Sequence, residues 1–320
     1  MTEAELISII EGIKPVDREA MKQAEARLDT LAKPPGSLGD LEAIAIQLAG
    51  ITGRVQNSIN RSAITVFAAD NGVTEEGVAS APQSVTYSQT INSSRHLTGV
   101  GALADCFGTD ILVTDVGVNA DFPEEMLTLD PVVHDCSAGV CRQTLAGSIV
   151  NRKISYGTNN LAKEPAMSRH QVVMGIYIGI EAARAAGNTG HDIIGVGEMG
   201  IGNTTSAAAV LSALTGLAAD KTAGRGGGLD SDSLAKKKQI IDSAVKRTTL
   251  YEDSRDRVFE VLSQVGGFDI AAMTGAFLGA ALYGIPAVID GYISAVSALC
   301  AYMINPEVKG YLFGSHKSRE

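Results

Sequence analysis

The sequence predicts an α/β fold in which a Rossmann-like parallel sheet is flanked by helices. Two observations lead to this prediction. Helical stretches, such as SRHQVVMGIYIGIEAARAAG and SLAKKKQIIDSAVKRTTLY, lie between short apolar runs, and strands that alternate with helices are typical of a doubly wound sheet. The runs are rich in β-branched residues and show no polar alternation, as expected of strands buried on both faces. They are ITVFAAD (64–70), DILVTDVGV (110–118), VVHDC (132–136), DIIGVGE (192–198) and AVIDGY (287–292).

The N-terminal part has a different pattern. Residues 1–53 contain apolar residues at helical spacing, interrupted by the helix-breaking segment KPPGSLGDL, and no strand pattern. We therefore expect a small helical subdomain at 1–53, a large α/β domain at 54–305, and the start of a C-terminal segment at 306–320. The apolar stretch around residues 270–289 contains several glycines and Pro286 and is flanked by Asp269 and Asp290, which predicts a buried helix followed by a strand and no membrane span.

Composition excludes several classes of partner. The formal charge is −10 with a pI near 5.0, and the chain has no Trp. An acidic protein with few aromatic residues is poorly suited to nucleic acid or to anionic membranes. The four cysteines lack the spacing of a zinc site, and the N-terminus lacks the basic start of a signal peptide. We expect a cytoplasmic protein with reduced thiols, no bound metal and small-molecule ligands.

The predicted strands end in acids and glycines. Asp70, Asp115, Glu198 and Asp290 each lie at the carboxyl end of a predicted strand, next to a glycine or one or two residues before one. In open parallel sheets the ligand binds beyond these ends. This edge is therefore the expected site.

The segment GVGEMGIGNTTSAAA (195–209) leads from a strand into a helix through a glycine-rich turn. Free backbone N–H groups at a helix N-terminus attract phosphate. An alternative is that Asn203 and the two threonines only cap the helix. The turn also carries Glu198, whose carboxylate does not suit a phosphate and therefore calls for another ligand group.

A second glycine-rich turn lies in TAGRGGGLDSDSLAKKKQ (222–239). It lacks the GK[ST] ending of a P-loop, but glycines followed by lysines can still form a phosphate cradle. The alternative is a flexible surface loop before a solvated helix. The segment 66–90 is too long for a plain connection and has no basic residue, so it suits a heterocycle better than a phosphate. His316 is expected to be structural or exposed.

Taken together, these segments resemble the nicotinate-nucleotide–dimethylbenzimidazole phosphoribosyltransferase family of cobalamin lower-ligand synthesis. The resemblance runs in order from residue 27 to about residue 300. The matching segments are RLDTLAKPPGSLGDLE, FAADNGVTEEGV, APQSVTYSQ, DVGV, NLAKEPAMS, GEMGIGNTT, GRGGGLDSDSLAKK, GGFDIAAMTGAFLGAA and DGYISAVSAL.

The resemblance implies a function and a set of site residues. The family transfers 5-phosphoribosyl from nicotinate mononucleotide to 5,6-dimethylbenzimidazole or a related base, giving α-ribazole 5′-phosphate and nicotinate with inversion at C1′, and it is usually homodimeric. No cofactor is implied. The expected base-binding residues are Ala81, Tyr87, Gln89, Glu198 and Met199. The expected phosphate- and nucleotide-binding residues are Gly200, Gly202, Asn203, Thr204, Gly226, Gly228, Lys237, Asp290 and Gly291.

Glu198 is the expected catalytic residue, because a carboxylate that accepts the N–H proton of the base makes its other nitrogen a better nucleophile. The family's general base, also a glutamate, is expected beyond residue 320. Ala81 stands where some members have serine, so the identity of the acceptor base stays open. An alternative function is that of a non-catalytic protein that binds a nucleotide or α-ribazole and has lost the general base. A Rossmann dehydrogenase is disfavoured because no GxGxxG follows the first strand.

Overall fold

A computed structural model describes residues 1–135, 142–249 and 251–317. Its strands are β1 (Ser62–Ala69), β2 (Asp110–Gly117), β3 (Leu127–Thr128), β4 (Val132–Asp135), β5 (Arg142–Leu145), β6 (Ile149–Asn151), β7 (Ile193–Met199), β8 (Ala287–Ile289) and β9 (Leu312–Gly314). Its helices are α1 (Glu3–Ile10), α2 (Arg18–Asp29), α3 (Asp40–Thr52), α4 (Ser84–Ser94), α5 (Gly99–Phe107), α6 (Arg169–Asn188), α7 (Asn203–Thr215), α8 (Ala219–Thr222), α9 (Ser231–Arg247), α10 (Ser254–Val265), α11 (Phe268–Tyr283) and α12 (Tyr292–Ile304).

Seven strands form one parallel sheet in the order β3-β6-β2-β1-β7-β8-β9. This confirms the predicted fold class and four of the five predicted strands. The remaining short strands of the sheet, β3, β6 and β9, have only two or three residues, too few to form a recognisable apolar run.

The prediction that 132–136 belongs to the parallel sheet is wrong. β4 pairs antiparallel with β5 in a separate two-stranded sheet, and Val133 is 38% exposed. A β-branched run has the same pattern in an exposed hairpin as in a buried strand, and only its packing partners distinguish the two. Cys136 and Cys141 lie outside the described residues. Cys106 is exposed and Cys300 is buried, and both are free thiols.

The two faces of the sheet are covered unequally. One face packs Phe67, Leu112 and Ile194 into a large core with α6, α10, α11 and α12. The other face packs Val66 and Val113 into a smaller core beneath α4 and α5. Leu6 and Ile10 of α1 join the large core, whereas α2 and α3 pack on each other. The second face is therefore less completely covered.

Helix α11 lies at the centre of the large core. Its residues from Phe268 to Ala281 are all buried, which confirms the predicted buried helix. No helix among the described residues is both long and apolar enough to cross a membrane. The helix approaches α6 so closely that a Cβ atom on Gly179 would lie 1.8 Å from the carbonyl oxygen of Ala272, and one on Gly275 would lie 1.9 Å from that of Ile176.

The strand order has one reversal. The chain places β2 on one side of β1 and later returns to place β7 on the other side. The loops after β1 and β7 diverge at this point, and in doubly wound sheets such a divergence opens the ligand-binding crevice.

Substitution of Gly179 by alanine tests the contact between α6 and α11. The new methyl group would meet backbone rather than a movable side chain, so we expect a loss of about 2–4 kcal/mol in the free energy of unfolding. Urea denaturation measures it. Gly99→Ala is the control, since Gly99 lies in α5 with open space around its Cβ position. Equal stability of the two variants would contradict the close contact.

Candidate active site

Two cavities open near the carboxyl edge of the sheet and share Gly197, Glu198 and Asp290. The first, which we call the α7 cavity, has a volume of about 520 Å³ and lies between the start of α7, the segment 220–226 and the start of α12. The second, the α5 cavity, has a volume of about 660 Å³ and lies between the sheet, α4 and α5. Their shared wall lies at the switch point of the strand order.

The α7 cavity has features that suit an anion. Thr204, in the first turn of α7, and Gly226, in the second glycine-rich turn, both line it. Lys237 of α9 is fully buried, and its Nζ donates to Thr204 Oγ1 (3.0 Å) and to the carbonyl oxygen of Gly224 (3.2 Å). The lysine thus joins the two turns and adds a positive charge beside a helix N-terminus.

Asp290, Gly291 and Tyr292 form the opposite side of the α7 cavity. The Tyr292 hydroxyl donates to the carbonyl oxygen of Thr222 (2.7 Å), and burial raises the pKa of this phenol. Tyr292 therefore remains a neutral donor that ties α12 to the segment before the glycine turn.

The residues of the first glycine-rich turn lie in two different environments. Thr204 lines the α7 cavity, whereas Gly200 packs against the Ala69 carbonyl oxygen and the Asp269 side chain. Gly202, with φ of +93°, packs against Thr74. The Ile201 N–H donates to Thr86 Oγ1 (3.0 Å). Part of the turn predicted to bind phosphate through its N–H groups therefore contacts other parts of the protein instead.

Asn203 also faces the interior. Its Nδ2 donates to Glu198 Oε2 and to Asp269 Oδ2 (2.9 Å). Asp269, near the start of α11, is fully buried. One amide group therefore bridges two carboxyl groups from different elements.

The pKa of Glu198 is raised to about 8. Burial of the carboxyl group is the main cause, repulsion from Asp269 adds to it, and the hydrogen bond from Asn203 opposes it. Burial likewise raises the pKa of Asp269 to about 6, and the Asn203 hydrogen bond again opposes the rise. Near pH 7 the Glu198 carboxyl is therefore largely protonated, while Asp269 is largely ionised.

The α5 cavity is mainly apolar. Ile64, Val66, Met199 and Val288 contribute its apolar lining. Gly195 and Gly197 of β7 also line it, and the lack of a side chain at both positions adds to its space. Its polar groups include the side chains of Gln89, Ser93 and Glu198. An apolar slot with a few convergent polar groups suits a flat heterocycle.

Two of the predicted base-binding residues do not line the α5 cavity. Tyr87 stacks on Phe122, with ring centroids 4.9 Å apart. Ala81 is half-buried in the loop before α4, whose Ser80 hydroxyl approaches the glycine turn at Gly227. Gln89, Glu198 and Met199 do line the cavity.

Of the predicted nucleotide-binding residues, four line the α7 cavity: Thr204, Gly226, Asp290 and Gly291. Gly228 lies in the same glycine turn, with φ of +111° and open space around its Cβ position. His316 is exposed, as expected.

Sequence reasoning did not assign Asp269, Tyr292 or Ser315 to the site. Ser315 lines the α5 cavity and donates to the Asp290 carbonyl oxygen (3.1 Å). For Asp269 a signal was present, since an acid at the start of a wholly apolar helix must be buried with a partner. Among the described residues, no group of three or more histidine, cysteine or acidic side chains could hold a metal ion.

Comparison with known proteins decides the family. A family model described as phosphoribosyltransferase matches residues 13–320. The chain is 48% identical over 316 residues to the nicotinate-nucleotide–dimethylbenzimidazole phosphoribosyltransferase of Clostridium perfringens strain 13, an alignment that covers 98% of this chain and 80% of that protein. This chain belongs to that phosphoribosyltransferase family.

Other members are similar over most of their length. The protein of the same name from Clostridium tetani is 41% identical, over 96% of this chain and 78% of the relative. The crystal structure of CobT from Thermus thermophilus aligns with a TM-score of 0.82 at 35% identity, covering 93% of this chain and 82% of that one. Family membership makes the chain a transferase enzyme, and the fold agrees with that of a solved member.

The raised pKa of Glu198 predicts how stability varies with pH. Between about pH 4.5 and 8 the folded protein binds a proton at Glu198 that the unfolded chain releases, so stability falls as pH rises through this window. Glu198→Gln removes this loss. We expect the variant to gain stability over the parent progressively from pH 5 to pH 8, as measured by urea denaturation.

Glu124→Gln on the exposed surface is the control, and its stability should run parallel to that of the parent across the same pH range. A constant difference between the Glu198→Gln variant and the parent would show that Glu198 titrates alike in both states.

Proposed function

We propose that the protein transfers 5-phosphoribosyl from nicotinate mononucleotide to 5,6-dimethylbenzimidazole or a related base, with release of nicotinate. The main support is the pair of cavities of different lining that share Glu198. In this proposal the mononucleotide occupies the α7 cavity and the base occupies the α5 cavity. The C1′ carbon then lies near the shared wall.

Glu198 is the proposed proton acceptor. One nitrogen of the base attacks C1′ from the face opposite nicotinate, and the C1′–nitrogen bond breaks with its electron pair returning to the pyridine ring. The proton on the other nitrogen of the base passes to the Glu198 carboxylate. Glu198 is largely protonated near pH 7, and its ionised form is the one that accepts this proton. A pKa near 8 makes that form a stronger base than an ordinary glutamate, and its share grows as pH rises toward 8. Attack opposite the leaving group gives the α configuration.

The phosphate is proposed to lie at the start of α7. Thr204 and Gly226 would contact it directly, with Gly228 at the outer end of the same turn, and Asp290 and Gly291 would face the rest of the nucleotide. Lys237 would act from behind Thr204, through its charge and through its hydrogen bond to the Gly224 carbonyl oxygen. Gly200 and Gly202 would shape the turn. Among the base-binding residues, Gln89 and Met199 would contact the base, while Ala81 and Tyr87 would support the loop and helix beside it.

The protein is further proposed to be a homodimer. Two separate groups of large apolar side chains are exposed: Leu31, Leu38, Leu41 and Ile44 around the start of α3, and Leu97, Leu103 and Phe107 on and before α5. In a two-fold dimer the first group of each chain can cover the second group of its partner. This arrangement would use the proposed helical subdomain of residues 1–53 to close the α5 cavity, which Leu103 and Phe107 line.

The transfer is tested by incubating the protein with nicotinate mononucleotide and dimethylbenzimidazole and analysing the products by mass spectrometry. We expect α-ribazole 5′-phosphate and an equal amount of nicotinate. Glu198→Gln should lower kcat by about 100-fold or more, because it cannot accept the proton, and should leave the thermal shift caused by the mononucleotide unchanged. A thermal shift without any product from the parent protein would instead support the binding-protein alternative.

The role of Lys237 is tested by Lys237→Met, which removes the charge and keeps most of the buried aliphatic chain. We expect KM for the mononucleotide to rise about tenfold, with a smaller change in KM for the base, since the positive charge behind Thr204 and the link from Thr204 to Gly224 are lost. Steady-state kinetics with each substrate varied measure this. Lys246→Met, on the exposed surface of α9, is the control. Equal effects of the two substitutions would contradict the phosphate site.

A further inference from the structure

Asn203 holds a position that a phosphate ligand does not explain. It is the first residue of α7 and is buried, and both hydrogens of its side-chain amide are directed at carboxyl oxygens. One acceptor is Glu198 Oε2 and the other is Asp269 Oδ2. Because carboxyl oxygens accept hydrogen bonds, the amide must present its NH₂ group to both, which fixes its orientation.

Asp269 is itself held tightly. Its Oδ1 accepts from the N–H of Ile270 (2.9 Å) in the first turn of α11, where the helix dipole favours a negative charge. Two glycines leave just enough room for this carboxyl group. A Cβ atom on Gly267 would lie 2.4 Å from Asp269 Oδ1, and one on Gly200 would lie 2.8 Å from Asp269 Oδ2. Burial of a carboxylate costs free energy, so the close fit around Asp269 indicates that this acid has a function.

We propose that Asn203 and Asp269 are positioning residues for Glu198. Asp269 orients the Asn203 amide, and the amide holds Glu198 Oε2, so that Glu198 Oε1 is left to receive the proton of the acceptor base. This inference rests on the proposed role of Glu198 in phosphoribosyl transfer. It also gives Asn203 a role different from the phosphate contact that its position in the glycine-rich turn suggests.

The two residues act on the basicity of Glu198 in opposite directions. Burial is the main cause of the raised pKa of Glu198; the charge of Asp269 raises it further, and the Asn203 hydrogen bond lowers it. Asp290, at the end of β8, also raises it, while Asp70, at the end of β1, acts on Asp269. On the side of α4 the groups that line the cavity beside Glu198 are the neutral Gln89 and Ser93. The pair therefore fixes the orientation of Glu198 and adjusts a proton affinity that burial mainly determines.

The test is a ¹³C NMR titration of the Glu198 carboxyl in the protein without substrates, with Glu198→Gln used to assign its resonance. Asp269→Asn, which removes a charge at constant size, should move the titration midpoint to lower pH by about half a unit or more. Asn203→Ser, which removes the bridging amide, should move it to higher pH. Opposite shifts would support the pair, and midpoints equal to that of the parent in both variants would overturn it.

Activity gives the second measurement. Both variants should lower kcat at least about tenfold, because Glu198 is no longer held in place, with KM for nicotinate mononucleotide little changed. A raised KM for Asn203→Ser without a shifted titration would instead make Asn203 a nucleotide contact and overturn the proposal. If the parent protein makes no α-ribazole phosphate, the proposed function fails, while the NMR titration still decides whether the pair controls Glu198.

Asp232→Asn is the matched control, since Asp232 is likewise an acid in the first turn of a helix, α9, but is exposed. It should change neither the titration nor kcat. If Asp269→Asn does not fold, the Asn203→Ser variant alone decides, because an unchanged or lowered midpoint in that variant contradicts the bridge.

Discussion

The contact between α6 and α11 is the constraint on which the rest of the site depends. Two glycines, Gly179 and Gly275, let the backbones of these helices touch. This contact fixes the axis of α11 against the sheet, and the start of α11 carries Asp269. Through Asn203 the position of Asp269 reaches Glu198 at the end of β7. The placement of the proposed proton acceptor thus depends on a helix packing contact in the core.

The site gathers acids in a way that an anion-binding protein would not require. Glu198, Asp269 and Asp290 lie near one another, and the pKa of Glu198 is raised mainly by burial and further by repulsion from the two aspartates. The positive contributions lie on the other side of the α7 cavity, at the start of α7 and at Lys237. One crevice therefore has a side suited to a phosphate and a side suited to the N–H of a heterocycle. Clusters of perturbed pKa values of this kind are typical of active sites.

The absence of side chains is as important here as their presence. Gly195 and Gly197 leave the surface of β7 open toward α4 and α5, and the α5 cavity occupies this space. In the glycine-rich turns, Gly202 and Gly226 adopt positive φ angles of +93° and +53°. Such angles suit glycine, and they let the chain turn sharply enough to bring Thr204 beside the second turn.

The sequence was sufficient for the fold class because buried parallel strands and amphipathic or buried helices have local patterns. β1, β2, β7, β8 and α11 were predicted correctly for this reason. The local pattern failed for 132–135, where β-branched residues form a strand of a separate antiparallel pair, and for β3, β6 and β9, which are too short to have a pattern. Burial and pairing of such segments depend on neighbours distant in the chain.

The sequence by itself determined the strand–helix alternation, the acids and glycines at the strand ends, and the family. Only the tertiary structure decided which side chains line each cavity and which are turned into the protein interior. It turned Asn203 inward to Glu198 and Asp269, placed Lys237 behind Thr204, and stacked Tyr87 on Phe122. The physical reason is that a side chain's direction depends on the packing of elements far apart in sequence, such as β7, α7 and α11. A local motif specifies the residue types at a site but not their hydrogen-bond partners.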